Sequence, residues 1–210
     1  MKKWLFLLVA AALTVPLVTW GAEATLTPTG DAPVFGYSPT SNYGSQTYGY
    51  WGYYNAAMRT LVQWNLSSVV GTVTSCKLSF YLMQNNWVAG TTIWACKLNG
   101  TWAESTVTWN TQPTHDSTTA GLLLNTTAPT GTGIKTLDCT PAANAIVQAW
   151  IASPATNYGV ILRNQTEGGT DRAYPYMKES PYQPVQLIVT YTPGSAVSPT
   201  SLGRVKALYR

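Results

Sequence analysis

Eight carboxylates and one histidine are the side chains of this 210-residue chain whose ordinary pKa lies below about 7. His115 lies in the loop-like stretch Pro113-Thr114-His115-Asp116-Ser117, and a lone loop histidine beside an aspartate reads as surface and not as half of a triad. The chain has no G-x-S-x-G elbow, no H-E-x-x-H helix and no phosphate loop. Zinc-cage spacing of paired cysteines and histidines is missing too. Glycoside cleavage would need two carboxylates facing each other across a sugar. The pool is Asp31, Glu104, Asp116, Asp138, Glu167, Asp171 and Glu179. Glu104 sits between Trp102 and Trp109, where partial burial is expected, and a carboxylate so placed reads as a hydrogen-bonding brace. A polysaccharide lyase or hydrolase using Glu104 and Glu179 is therefore the weakest of the functions these residues admit.

Aromatic side chains are the enriched class. Tyr37, Tyr43, Tyr48, Tyr50, Trp51, Tyr53 and Tyr54 crowd one stretch, and Trp87, Tyr174, Tyr176 and Tyr182 lie in turn-rich segments. An aromatic plane stacks on the C–H face of a sugar, and Tyr or Trp adds a polar handle. In Tyr48-Gly49-Tyr50-Trp51-Gly52-Tyr53-Tyr54 both faces of a strand would carry rings, so at least one face must meet solvent or a partner. Trp51, Tyr53, Tyr54, Trp87 and Tyr176 are the expected carbohydrate-stacking residues.

The elements that would hold these rings are short strands separated by Gly, Pro, Asn, Thr and Ser, the rhythm of an all-β sandwich. Cys76, Leu78, Phe80 and Leu82 alternate with Lys77, Ser79 and Tyr81; Val62, Trp64 and Leu66 alternate with Gln63 and Asn65; Trp94, Cys96 and Leu98 alternate with Ala95 and Lys97. Period two with one apolar face marks half-buried strands. Val160-Ile161-Leu162 reads as a strand buried on both faces, and Leu187, Val189 and Tyr191 close the series. One segment breaks the rhythm. Thr140 as N-cap and Pro141 at the first helical position open a short helix with Ile146, Val147, Trp150 and Ile151 on one stripe, ended by Ser153-Pro154.

The ends read differently from the body. Lys2, Lys3, an apolar run from Trp4 to Trp20 and Ala22-Glu23-Ala24 have the layout of a signal peptide, predicting residues 1–24 as the leader with cleavage after Ala24. Residues 25–193 form the expected sandwich, and 194–210 a basic tail of small polar residues followed by Leu202 to Arg210. No later segment is long and apolar enough to span a bilayer. The net charge of +4 sits in the ends, since the body carries seven basic and seven acidic residues. Such a body neutralises no phosphate backbone, which argues against nucleic acid. Export permits a disulfide, but the three cysteines are an odd set. Cys76 and Cys96 fall on the apolar side of neighbouring strand patterns, so a Cys76–Cys96 bridge stands against the alternative of buried free thiols.

Several fragments in register resemble the DNRLRE domain, a family of secreted β-sandwich modules related to certain carbohydrate-binding modules. They are Asn42-Tyr43-Gly44, the strand Arg59 to Ser67, Ser75 to Tyr81, and above all Trp102-Ala103-Glu104-Ser105-Thr106-Val107-Thr108-Trp109-Asn110-Thr111-Gln112-Pro113. Leu137-Asp138-Cys139-Thr140, Val147 to Trp150, Asn157 to Val160, Glu179 and Pro184 to Tyr191 follow in the family's order. The naming string is absent, Trp64-Asn65 stands for the usual Phe-Asp, and Cys76 and Cys139 stand for small apolar residues. The resemblance implies a jelly-roll-like antiparallel β-sandwich with an extracellular or cell-surface role and polysaccharide as partner. It transfers no catalytic or binding residue. Arg59, Trp102, Glu104, Trp109, Asn110, Asp138, Trp150 and Glu179 are expected to be structural. No cofactor is expected beyond a structural calcium ion, for which the sequence fixes no ligands. The favoured function is a secreted, non-catalytic polysaccharide-binding module, and the alternative is a self-associating envelope or fibre protein.

Overall fold

The computed structural model describes residues 21–194. Within them, twelve strands and one α-helix form an antiparallel β-sandwich. The predicted leader, apart from its last residues, and nearly all of the basic tail lie outside the described residues.

One layer is built on β5 (Gly71–Asn85), whose 15 residues are long enough to hold three partners. β12 (Gln186–Pro193) and β11 (Arg172–Pro175) pair with successive parts of β5, and β9 (Gly133–Asp138) pairs from Lys77 to Leu82. β1 (Ala22–Leu26) closes this layer against β12. The second layer is built on β4 (Ala56–Trp64), flanked by β2 (Pro28–Phe35) and β10 (Val160–Asn164). β6 (Thr92–Leu98) follows, then β8 (Leu122–Thr127) and the two-residue β7 (His115–Asp116). β3 (Trp51–Tyr54) pairs with both β4 and β11 and so joins the layers along one edge.

Two apolar clusters follow from the period of two. Between the layers, Cys76, Leu78, Phe80 and Leu82 of β5 and Leu187 and Val189 of β12 meet Val62 and Trp64 of β4, Ile93 and Ala95 of β6, and Val160 and Leu162 of β10. The alternate residues of the second layer, Leu61, Cys96, Leu98 and Ile161, point the other way and build an outer cluster with Ala32, Val34 and Val107. The segment after β6 folds back over that face and covers it with Trp102 and Trp109. The tryptophans of the W-x-E-x-T-V-T-W-N motif therefore plug the outer cluster and not the space between the layers. The continuous apolar run in β10 is explained the same way, since its strand is covered on both faces.

No cysteine is bonded to another in the structure, and the positions of Cys76 and Cys96 rule out the bridge expected between them. Each cysteine does lie on an apolar face, as the alternation indicated. The faces differ: Cys76 belongs to the cluster between the layers and Cys96 to the outer one, so the second layer itself separates the sulfurs.

The helix α1 (Pro141–Ala152) buries Ala143, Ile146, Val147 and Trp150 against β5 and β8. Thr140 holds the N-cap position, but its hydroxyl donates to the carbonyl of Leu122 at 2.5 Å and not to the helix. That bond ties the helix start to the sandwich. The bond after Ala24, where the sequence expectation puts leader cleavage, lies inside β1, where Ala22, Glu23 and Ala24 pair with Tyr191, Thr190 and Val189.

Candidate functional site

β11 and β3 together decide which aromatic rings face outward. Ala173 and Trp51 are register partners and both point inward, while Arg172 sits opposite Gly52 on the other face. Gly52 has φ +146°, and a Cβ there would lie 2.0 Å from the Asp171 carbonyl oxygen, so only glycine permits this approach. The neighbouring outward position is Tyr54, 44% exposed, and the Arg172 guanidinium lies 4.0 Å over its ring. Arg172 Nε donates to the Tyr174 hydroxyl at 2.5 Å and Nη1 to the Thr170 carbonyl at 3.1 Å. Among the described residues no carboxylate pairs with Arg172.

Around this arginine the chain from Phe35 to Tyr50 supplies more rings. Tyr37 stacks on Phe35 at 5.2 Å and is 54% exposed, Tyr50 meets Phe35 edge-on at 4.6 Å, and Tyr174 meets Tyr50 at 4.9 Å. Tyr37, Tyr50, Tyr54, Asn55, Met58, Arg172 and Tyr174 enclose an open recess of about 480 Å³. Burial, then the hydrogen bond with Tyr48, holds the Tyr50 phenol above its ordinary value, and burial does the same to Tyr37. The isolated bridge between Tyr48 and Tyr176 leads to a second patch. There Tyr176 stacks on Tyr182 at 4.6 Å and Tyr81 lies 5.5 Å from Tyr176, with Tyr182 55% exposed.

The expected stacking residues thus divide. Tyr54 lies on the outward face and Tyr176 in the second patch, while Tyr53 is half-buried. Trp51 is corrected: it is 0% exposed, packs on Phe80 at 5.5 Å and Trp87 at 5.6 Å, and cannot touch a ligand. Trp87 is half-buried against the main core, with its indole N–H donating to Asn164 Oδ1 at 3.2 Å. Arg172, Tyr37, Tyr50 and Tyr174 were not singled out for this site. The spacing of Arg172 and Tyr174 around Ala173 was a usable signal, since i and i+2 share a strand face.

The motif residues hold the scaffold. Arg59 makes two 2.7 Å bonds to Glu167 and lies 4.5 Å over the Trp109 ring. Trp102 donates its indole N–H to the Tyr158 carbonyl at 2.8 Å. The Asn110 backbone N–H reaches the Pro39 carbonyl at 3.1 Å, and Trp150 is buried under the helix. Asp138 is exposed and meets Lys77 at 3.3 Å.

Asp31, Glu104 and Glu179 each bring a carboxylate oxygen within 4.8 Å of the others. The Lys178 ammonium sits among them, 3.0 Å from Glu104 and in contact with Glu179. The Asp31 backbone N–H donates to Glu104 and the Lys178 N–H donates to Asp31. These are the described acidic groups whose donor atoms converge as cation ligands would, and an internal cation already bridges two of them. Burial pushes the Asp31 carboxyl up to about 7, aided by the charges of Glu179 and Glu104. A carboxyl near 7 resembles a general acid, but Asp31 is wholly enclosed and a polymer cannot reach it. Glu104 ties its own 99–113 segment to β2 through the Asp31 N–H and to the Lys178 turn, whereas Glu179 meets only the adjacent Lys178 and its other oxygen is buried without a partner.

No curated protein matches this chain. A family model does, over residues 22–191, from the start of β1 to Tyr191 within β12. An aromatic recess with a polar anchor on a β-sandwich is what a sugar-binding module would use, and the chain belongs to carbohydrate-binding module family 96.

Proposed function

We propose that this domain is an exported, non-catalytic module that holds a polysaccharide in the recess around Arg172. The observation that carries the reading is the packing of Arg172 on Tyr54 and against Tyr174, beside the exposed ring of Tyr37. Ring faces there supply apolar area for sugar C–H groups, while the guanidinium and the phenols supply donors for hydroxyl oxygens. The arginine is already oriented by three protein groups, so little of its side-chain entropy remains to be lost on binding. The enclosed Asp31 and the lysine-bridged Glu104 and Glu179 support the absence of catalysis. Signal-like residues 1–24 support an extracellular or cell-surface location, and the finer likeness to the DNRLRE domain belongs to the same reading.

Affinity electrophoresis and pull-down on a broad panel of soluble and insoluble polysaccharides test this. Retention on at least one polymer is expected, reduced about tenfold by Arg172→Ala and by Tyr54→Ala, since each removes a donor or ring that would face the sugar, a loss of about 1.4 kcal/mol. Tyr182→Ala tells whether the second patch extends the same site. No retention on any polymer, with the purified chain eluting as an ordered assembly, overturns the proposal in favour of a structural protein.

A further inference from the structure

Three cysteines in a chain with a signal-like leader raise the question of which two meet. β9 pairs antiparallel with β5, with Lys77 opposite Asp138. One step further along that ladder Cys76 stands opposite Cys139, and the Cys139 N–H donates to the Cys76 carbonyl at 3.0 Å. Residues directly opposite in an antiparallel pair put both side chains on the same face, and a hydrogen-bonded pair holds its Cα atoms about 5.5 Å apart. That separation lies within the roughly 4.4–6.8 Å a disulfide needs. Both side chains pack on the same cluster, Cys76 within it and Cys139 against its edge. Cys96 lies on the far side of the second layer.

We infer that Cys76 and Cys139 are the pair that oxidation joins, forming a disulfide that fastens β9 and the start of α1 to β5 and leaves Cys96 as the lone thiol. The closed loop would contain β6, β7, β8 and β9. A small-molecule disulfide such as oxidised glutathione supplies the oxidising equivalents. One cysteine thiolate attacks it, giving a mixed disulfide and one glutathione thiolate; the second cysteine sulfur, losing its proton, then displaces the other glutathione. The glutathione S–S bond breaks as the protein S–S bond forms, and the two protons lost by the cysteines end on the two glutathione thiols produced. Burial pushes the Cys76 thiol up to about 12, and burial together with the nearby Cys76 also raises Cys139. Thiolate is scarce once the domain has folded, so the bond forms during folding.

Trypsin places each cysteine in its own peptide: Cys76 in residues 60–77, Cys96 in 78–97 and Cys139 in 136–163. The reduced, unfolded chain is refolded in a glutathione redox buffer, alkylated in denaturant, digested without reductant and weighed. The expected result is a linked 60–77/136–163 species, with Cys96 alkylated and one free thiol per chain. The oxidised protein should melt higher than the reduced one by on the order of 10 °C. That difference should persist in Cys96→Ser and vanish in Cys139→Ser. Three alkylated peptides, or a link involving 78–97, overturns the inference. If Cys139→Ser fails to fold, the peptide masses of Cys96→Ser still decide.

Discussion

Asp31 is buried and His115 half-buried beside charged neighbours, and loss of solvent acts on them in opposite directions. Burial lifts the Asp31 carboxyl from 3.8 to about 7, favouring its neutral, protonated form. Burial, with the Arg59 and Arg163 charges, lowers His115 from 6.5 to about 4, favouring its neutral, deprotonated form. The signs follow from proton counts. Between about 4 and 7 the folded state holds more of a proton at Asp31 than the unfolded state, so stability falls as pH rises. Between about 4 and 6.5 the folded state holds less of a proton at His115, so stability is lost as pH falls. One full proton of difference is worth about 1.4 kcal/mol per pH unit. The two slopes oppose each other, and the wild-type stability should vary little from pH 4 to 6.5. Denaturant melts of Asp31→Asn should show stability rising with pH in that window, and melts of His115→Gln should show it falling. A Asp31→Asn profile that stays as flat as the wild type would show that the two groups do not titrate as described.

Two N-Y-G tripeptides do the same work at the scale of elements. In Asn42-Tyr43-Gly44 the Asn42 amide donates to the carbonyls of Glu104 and Val107, and its oxygen accepts from Gly44. In Asn157-Tyr158-Gly159 the Asn157 amide donates to the Trp64 carbonyl and its oxygen accepts from Gly159. In both, the glycine lets backbone press on backbone: a Cβ on Gly44 would sit 2.1 Å from the Glu104 oxygen, and one on Gly159 2.1 Å from the Val62 oxygen. The first clamp fixes the segment covering the outer cluster and the second fixes the entry to β10. They differ in exposure, and that sets their energies. Asn157 is buried, so Asn157→Ala strands a buried N–H and a buried carbonyl and should cost about 2–4 kcal/mol. Asn42→Ala, where water can replace the lost amide, should cost about 1 kcal/mol. Equilibrium urea unfolding measures both; an equal or larger loss in Asn42→Ala would show that burial does not govern these clamps.

For the molecule as a whole, the edge strand β1 takes in residues Ala22 to Ala24, which the sequence expectation assigns to a leader. Five pairs join β1 to β12, and a chain beginning at Thr25 keeps those of Thr25 and Leu26 only. A chain beginning at Gly21 should melt several degrees above one beginning at Thr25, since each lost strand pair removes backbone hydrogen bonds and part of the cover over β12. Scanning calorimetry of the two chains checks this. N-terminal sequencing of the protein isolated from cells then shows which of them, if either, is made. Equal melting temperatures would mean that β1 contributes nothing to the sandwich.

The main strands and helix α1 were legible because they depend on local pattern. A period of two across Cys76 to Leu82, or Thr140-Pro141 ahead of an apolar stripe, carries its meaning within a few residues. What a period cannot say is which side of the sandwich a face belongs to. Cys76 and Cys96 looked alike along the chain, and only the stacking of layers put them on opposite sides of β4, β10 and β6. Trp51 and Tyr54 looked equally suited to stacking, and only the register of β3 against β11 sent Trp51 inward with Ala173 and Tyr54 outward to Arg172. The recess joins residues from the 35–58 segment to residues from 172–174, and Arg172 carried no aromatic signal of its own. Sequence alone determined β4, β5, β6, β10, β12 and helix α1 with their apolar stripes, because hydrophobic burial and turn chemistry act locally. The tertiary structure decided which faces meet each other and which meet a ligand, because that depends on pairings between strands more than a hundred residues apart.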